Sequence, residues 1–224
     1  MPTTGLPYGA VPRLERPGPL RDRVYGALLE LITTRALQPG QHLVESELAG
    51  HLGVSRQPVR EALQRLNTEG WVDLRPAQGA FVHEPTDEEA DQLLTVRTLL
   101  EAEAAGLAAA NAGSAGIAAL EELCALGEGA VAADDVDGAV ALNARLHAKV
   151  MELAGNAVLA ELAAQVDRRV RWYYTPIARQ RGRQSWIEHR ELIAAIADRD
   201  EQRATAVMRA HTEHTRKMYH DREK

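Results

Sequence analysis

Leu20, Val24, Leu28 and Leu31 recur at three- and four-residue intervals, the spacing that lines one face of a helix. Leu37-Gln38-Pro39-Gly40 closes that helix. A second, short helix is expected over 45–52, with Leu48 and Ala49 facing inward, and Gly53-Val54 turns the chain. Ser55 has the character of an N-cap, and Pro58 falls in the first turn of a third helix, where a missing N–H costs little. That helix runs to about Asn67, and Gly70 can stop it. Two β-prone runs follow, 71–74 and 80–82, joined by a turn at Pro76 and Gly79. Pro85 then breaks the chain, and Thr86 with Glu89 has the form of a capping box. From there the pattern is helical only. The expected spans are 87–111, 115–131, 135–154, 157–179, 185–197 and 200–220, enough for an antiparallel six-helix bundle. The chain is therefore read as mainly α, in three parts: a Pro-rich disordered arm over 1–19, a winged helix-turn-helix over 20–84, and an all-α bundle over 85–224.

Composition sharpens this. Only nine of 224 residues are aromatic, so the core must be mostly Leu, Ala, Val and Ile, which suits close-packed helices. The single cysteine, Cys124, allows no internal disulfide and no thiolate metal site. No apolar run reaches the length of a membrane span, and the five prolines before Leu20 do not form a signal peptide. The expectation is a cytoplasmic protein with no membrane partner. The net charge of −6 is unevenly spread: residues 1–84 carry nine arginines and nine acids, so the acidity lies wholly beyond them. A local basic face can still engage phosphates.

The order helix, short helix, tight turn, helix, β-hairpin is that of a winged helix-turn-helix. Arg56 stands at the start of the third helix and Arg60 lies four residues on along the same face. That is where a recognition helix meets base edges and phosphates in a major groove, and the arginine fork fits guanine O6 and N7. Taken alone, Arg56, Arg60 and Arg65 could equally be a solvated helix face. Pro39-Gly40, Leu43, Glu45, Gly53-Val54-Ser55-Arg56, Pro58-Val59-Arg60-Glu61-Ala62-Leu63, Leu66, Glu69-Gly70 and Gly79-Ala80-Phe81-Val82 together resemble the GntR superfamily of bacterial regulators over about 65 residues. The resemblance implies that Ser55, Arg56, Gln57 and Arg60 contact operator DNA and that Gly79, at the wing tip, approaches the minor groove. Two residues depart from the pattern: Ser46, where some relatives carry a DNA-contacting arginine, and Gln78, where arginine is common before the wing glycine.

Asn143 and His147 are four apart and project from one helix face. His189 and His211 lie either side of the break near 199, each 10 to 12 residues from it. In an antiparallel hairpin both would sit about 15–18 Å along their helices, roughly level. Three imidazoles and an amide oxygen could converge, a set that suits zinc, nickel, copper or iron. Spacing alone leaves open that they are unrelated polar residues. Arg97 with Glu101, Asn143 and His147 before Gly155-Asn156, then His189, Ala195-Ile196, Asp200 and His211 resemble the FCD effector domain of the FadR-like branch, over about 85–220. That resemblance implies Asn143, His147, His189 and His211 as ligands of a divalent transition metal, zinc first, with nickel or another divalent metal also fitting. The first ligand is Asn here where Asp is commoner. His214 and His220 are read as surface residues, and His42, His51 and His83 have no ligand spacing.

Arg97 is the candidate grip for a carboxylate effector, or else an i,i+4 ion-pair partner of Glu101. Residues 168–174, rich in arginine and aromatics, could line a pocket, form a dimer surface, or simply divide between core and solvent. The whole reads as a ligand-responsive, homodimeric DNA-binding repressor, not an enzyme, with double-stranded operator DNA and a small carboxylate as partners. Two rivals stand beside it: a metal-dependent enzyme using the three histidines, and a regulator sensing the metal itself. Against the enzyme, no carboxylate stands at a defined offset from the ligands, and Glu188 is expected to point elsewhere on its helix.

Overall fold

The structure, a computed structural model, describes residues 19–174 and 177–221; of Arg171, Tyr173 and Tyr174 it describes the backbone only. The arm expected over 1–19 lies, Pro19 apart, outside the described residues. The chain divides into two compact units, one formed by the residues up to Leu31 with Gly40–His83, the other by Ile32–Pro39 with the chain from Glu84 on.

The first unit carries helices α1 (Leu20–Thr33), α2 (Glu45–Leu52) and α3 (Arg56–Thr68), with strands β1 (His42–Leu43), β2 (Val72–Arg75) and β3 (Gly79–Val82). On α1 the buried stripe is Val24, Tyr25, Leu28, Leu29 and Ile32, whereas Leu20 and Leu31 are exposed. At 100° per residue this stripe is centred between Leu28 and Tyr25, so the two outer leucines fall at its edge. Gly53 closes α2 with φ +65°, and Ser55 occupies the N-cap of α3 without a side-chain cap bond. Val59, Ala62, Leu63 and Leu66 form the buried face of α3, leaving its polar face to solvent. β3 lies between β1 and β2, antiparallel to both, with Arg75 opposite Gly79 and His42 opposite Phe81. β1 is absent from the sequence reading because two residues are too short to show an alternating pattern.

The second unit is six helices: α4 (Asp87–Asn111), α5 (Ser114–Ala132), α6 (Val136–Leu153), α7 (Ala157–Tyr174), α8 (Ala178–Ala197) and α9 (Glu201–His220). The Thr86–Glu89 capping box is formed in both directions. The core is aliphatic, as the shortage of aromatics requires: Ala104, Ala105, Ala108, Leu146, Val150, Ile196 and Met208 share it, with Trp186 filling one side. α4 packs closely on α9, and a methyl group placed on Gly106 would come within 2.6 Å of Thr205 Oγ1. Two boundaries differ from the sequence reading. α7 ends at Tyr174, before 179, and α8 begins at Ala178, well before 185. The break expected around Gly182 is present: the residue is non-helical at φ +33°, ψ −128°, a conformation open to glycine, and it separates two helical stretches of α8. No described helix is long and apolar enough to cross a membrane.

Candidate metal centre and nucleic-acid interface

The apolar face of α3 fixes where its other face points. Ser55, Arg56, Gln57 and Arg60 are all exposed at the start of the helix. Arg56 makes no ion pair among the described residues. Arg60 is held by Glu45 of α2 in a two-pronged pair, Nε to Oε1 at 3.0 Å and Nη2 to Oε2 at 2.9 Å. The bond from Arg60 lowers the Glu45 carboxyl below its usual range. Gln57 donates to Glu61 at 2.8 Å. Arg65, the third arginine of the helix, is committed to the protein: it bonds Glu69 at 3.0 Å and lies 3.7 Å over the Tyr25 ring.

Gly79 opens β3 at φ +102°, and a Cβ there would meet His42 Nε2 at 2.8 Å, so only glycine fits the turn beside the His42–Phe81 stack. Arg75, opposite Gly79, lies 4.2 Å over the Phe81 ring. Arg56, Arg75 and Gly79 share one groove with Val44 and Glu45. The sequence reading passed over Arg75; its signal was its place across the hairpin from the wing glycine.

In the helical unit, α6, α8 and α9 bring His147, His189 and His211 together, all at most 4% exposed, with one ligand-type atom from each within 4.8 Å of the others. The Nε2 atoms of His147 and His189 are 3.3 Å apart. A tetrahedral zinc with Zn–N of about 2.0–2.1 Å requires an N···N edge of roughly 3.3–3.4 Å. Burial, then the neighbouring charges, pushes His189 and His211 well below the ordinary imidazole range, so both stay neutral, the form that ligates. Asn143, one turn before His147, is buried and its Oδ1 has no partner, which fits a donor awaiting an ion.

Two carboxylates flank the cluster from opposite sides. Glu101 Oε2 lies 2.9 Å from His147 Nδ1, though too far off line for a formed hydrogen bond, while Glu101 Oε1 accepts from Arg97 Nε at 2.9 Å. Burial opposes the charge on Glu101, but Arg97 and His147 outweigh it and hold the carboxyl well below the usual range. Glu188 Oε2 lies 2.8 Å from His211 Nδ1 and is also bonded by Arg181. With Nδ1 so engaged, Nε2 is the atom His211 has to offer. Carboxylates in this position orient a ligating imidazole.

The expectation that Glu188 points away from the histidines is therefore wrong. Arg181, on the N-terminal side of the Gly182 kink, bonds Glu188, and both meet His211 Nδ1. Arg181 went unnoticed because the sequence reading started this helix at 185 and left Arg181 outside it. Of the two readings of Arg97, the ion pair with Glu101 is present; its Nη1 is buried without a hydrogen-bond partner among the described residues. Arg97, Asn143, His147 and Arg168 line one cavity of 210 Å³. Arg169 is half-buried and Trp172 buried, outside that lining; the side chains of Arg171, Tyr173 and Tyr174 lie outside the described residues. His214 is more exposed, yet its Nδ1 lies 2.9 Å from Glu188 Oε1, and His220 pairs with Asp91.

A three-stranded winged helix-turn-helix joined to a separate helical unit with a buried polar centre defines a DNA-binding transcriptional regulator with a sensing domain. Residues 20–82 match the bacterial regulatory proteins of the gntR family, and residues 92–214 match the FCD domain. The chain belongs to the GntR superfamily, in its FadR-like branch, a family of regulators and not of enzymes. Over 176 residues it is 31% identical to the Nta operon transcriptional regulator of Aminobacter aminovorans, covering 78% of this chain and 82% of that one. Solved structures of Escherichia coli McbR/YncC and of a GntR regulator from Rhodococcus sp. RHA1 share the fold. Their TM-scores are 0.77 and 0.76, each at 24% identity over 91% of this chain, and they are covered to 98% and 99%.

Proposed function

We propose that this regulator senses a small carboxylate through a divalent metal held by Asn143, His147, His189 and His211. The observation that carries the reading is the meeting of three buried imidazoles with Nε2 atoms of two of them at a tetrahedral edge. Zinc fits first, and nickel or another divalent metal fits the same nitrogen set. When bound, the metal supplies a Lewis-acidic position for a carboxylate oxygen. Glu101 and Glu188 aim the imidazoles, and Arg97 offers its unpartnered Nη1 to the second oxygen.

Ser55, Arg56, Gln57, Arg60 and Gly79 are assigned to the operator contact, with two chains as a homodimer setting two recognition helices on a two-fold site. The effector acts by its differential affinity for the DNA-competent arrangement. The test is metal content by elemental analysis together with operator affinity with and without chelator. His189→Ala and His211→Ala should each lose metal and blunt the effector response. His214→Ala should retain metal, since its ring reaches Glu188 and not the ligand cluster. Equal metal loss in all three variants would overturn the ligand assignment. Metal that alone changes operator affinity would make the ion itself the signal.

A further inference from the structure

The cavity beside His147 has charged groups at two depths. On its floor are Arg97, Glu101, Asn143 and His147, all buried. On its rim are Arg145 of α6 and Arg168 of α7, both exposed, and neither has an ion pair among the described residues. Of the other arginines of the unit, Arg179, Arg181, Arg190, Arg203 and Arg216 each have a carboxylate partner, while Arg183 and Arg209 have none among the described residues. What sets Arg145 and Arg168 apart is that two such guanidiniums stand together at the mouth of one cavity.

The charges of the lining decide what fills it. Three guanidiniums, of Arg97, Arg145 and Arg168, face two carboxylates, of Glu101 and Asp167, so the lining carries one net positive charge. With neutral imidazoles and an amide as ligands, a divalent ion raises this to three. A monocarboxylate would leave two of those uncompensated around a largely buried site, which is electrostatically costly. A ligand with a second anionic head would reduce the excess and reach the rim arginines. At 210 Å³ the cavity is below the usual size for drug-sized ligands, so the second head must be close to the first.

We propose that the effector is a short dicarboxylate of about four to six carbons. One carboxylate is held at the floor by the metal and Arg97, and the other at the rim by Arg145 and Arg168. This rests on the metal-and-carboxylate reading above and adds the second anionic head and the residues that select it.

The test is calorimetric titration of the zinc-loaded full chain with succinate and with butyrate, which have the same carbon count. Succinate should bind at least about tenfold more tightly, as expected for added charge-assisted bonds, and the advantage should shrink as salt rises. Arg145→Gln and Arg168→Gln should each reduce the succinate-to-butyrate ratio, and the double variant should bring it near one. Butyrate affinity should fall less than succinate affinity, and zinc should still bind with thermal stability as in the parent, which a merely structural role for these arginines would not predict. Equal binding of the two acids by the parent would overturn the dicarboxylate assignment and leave the metal reading standing. Binding of neither acid to zinc-loaded protein, or failure to hold zinc, would overturn both. Tighter binding of 2-phosphoglycolate than of succinate would overturn the second carboxylate in favour of a phosphate.

Discussion

The Arg60–Glu45 pair of the DNA-binding unit and the Arg97–Glu101 pair of the helical unit use the same bond, Nε to a carboxylate oxygen at 3.0 and 2.9 Å. Their surroundings are opposite. The first pair is 53% and 27% exposed at its side chains, the second 3% and 4%. Water competes for the first, so Glu45 can be exchanged for another anion; under the proposed operator contact that anion is a DNA phosphate. The second is buried, and losing either partner leaves a poorly solvated charge. One bond geometry thus makes a readily exchanged contact at the surface of one unit and a fixed one in the interior of the other.

The largest expected effect breaks the buried pair. Arg97→Ala should lower the unfolding free energy by about 3–5 kcal/mol, because Glu101 then remains charged and unpaired. Urea unfolding measures it, and a change within the error of the midpoint would mean that water already reaches Glu101. Next comes pH. His189 and His211 are lowered in the folded state, chiefly by burial, so the unfolded chain takes up protons first as pH falls below about 6.5. Stability of chelator-treated protein should therefore be full above that value and decline as pH falls towards the folded values. The slope is about 1.4 kcal/mol per pH unit for each histidine. Unfolding curves at pH 7.5 and 5.5 that coincide would show that neither ring is held neutral by the fold.

The exposed pair should behave otherwise. Arg60→Ala should weaken operator binding by about ten- to hundredfold, with little change in thermal midpoint. Binding isotherms at fixed salt decide it, and unchanged affinity would remove Arg60 from the interface. The smallest effect concerns Asn143. Replacing its neutral amide oxygen with a carboxylate, Asn143→Asp, should raise metal affinity without effector by about tenfold or less. It should also shrink the coupling between metal and carboxylate, since less positive charge is left to share. Calorimetry of metal with and without succinate on both proteins measures the two quantities, and equal metal affinity would show that Asn143 is not a ligand.

The two units also differ in how far the sequence discloses them. α3 could be read nearly residue by residue, because its buried face repeats at helical spacing and its binding face is whatever remains. The histidines could be placed for a similar reason: two helices meeting at a short break put residues equidistant from it side by side. Arg181 and Glu188 could not. Arg181 lies across the break at Gly182, where helical spacing no longer carries, and the partner Glu188 meets depends on how α9 packs on α8. β1 was missed for want of length, and Arg75 because its place depends on strand register across the hairpin.

Cys124 gives the helical unit a property of a different kind. Burial, aided by the nearby Glu128, pushes its thiol up to about 11, and its Sγ–H faces the backbone oxygen of Trp186. At neutral pH almost none of it is thiolate, so alkylating reagents find no nucleophile while the bundle is closed. A chain with one such sulfur is a stopwatch for its own opening. The rate at which Cys124 accepts a label records how often the α5–α8 contact comes apart, and comparing that rate with and without zinc or succinate would time the unit's breathing without an engineered residue.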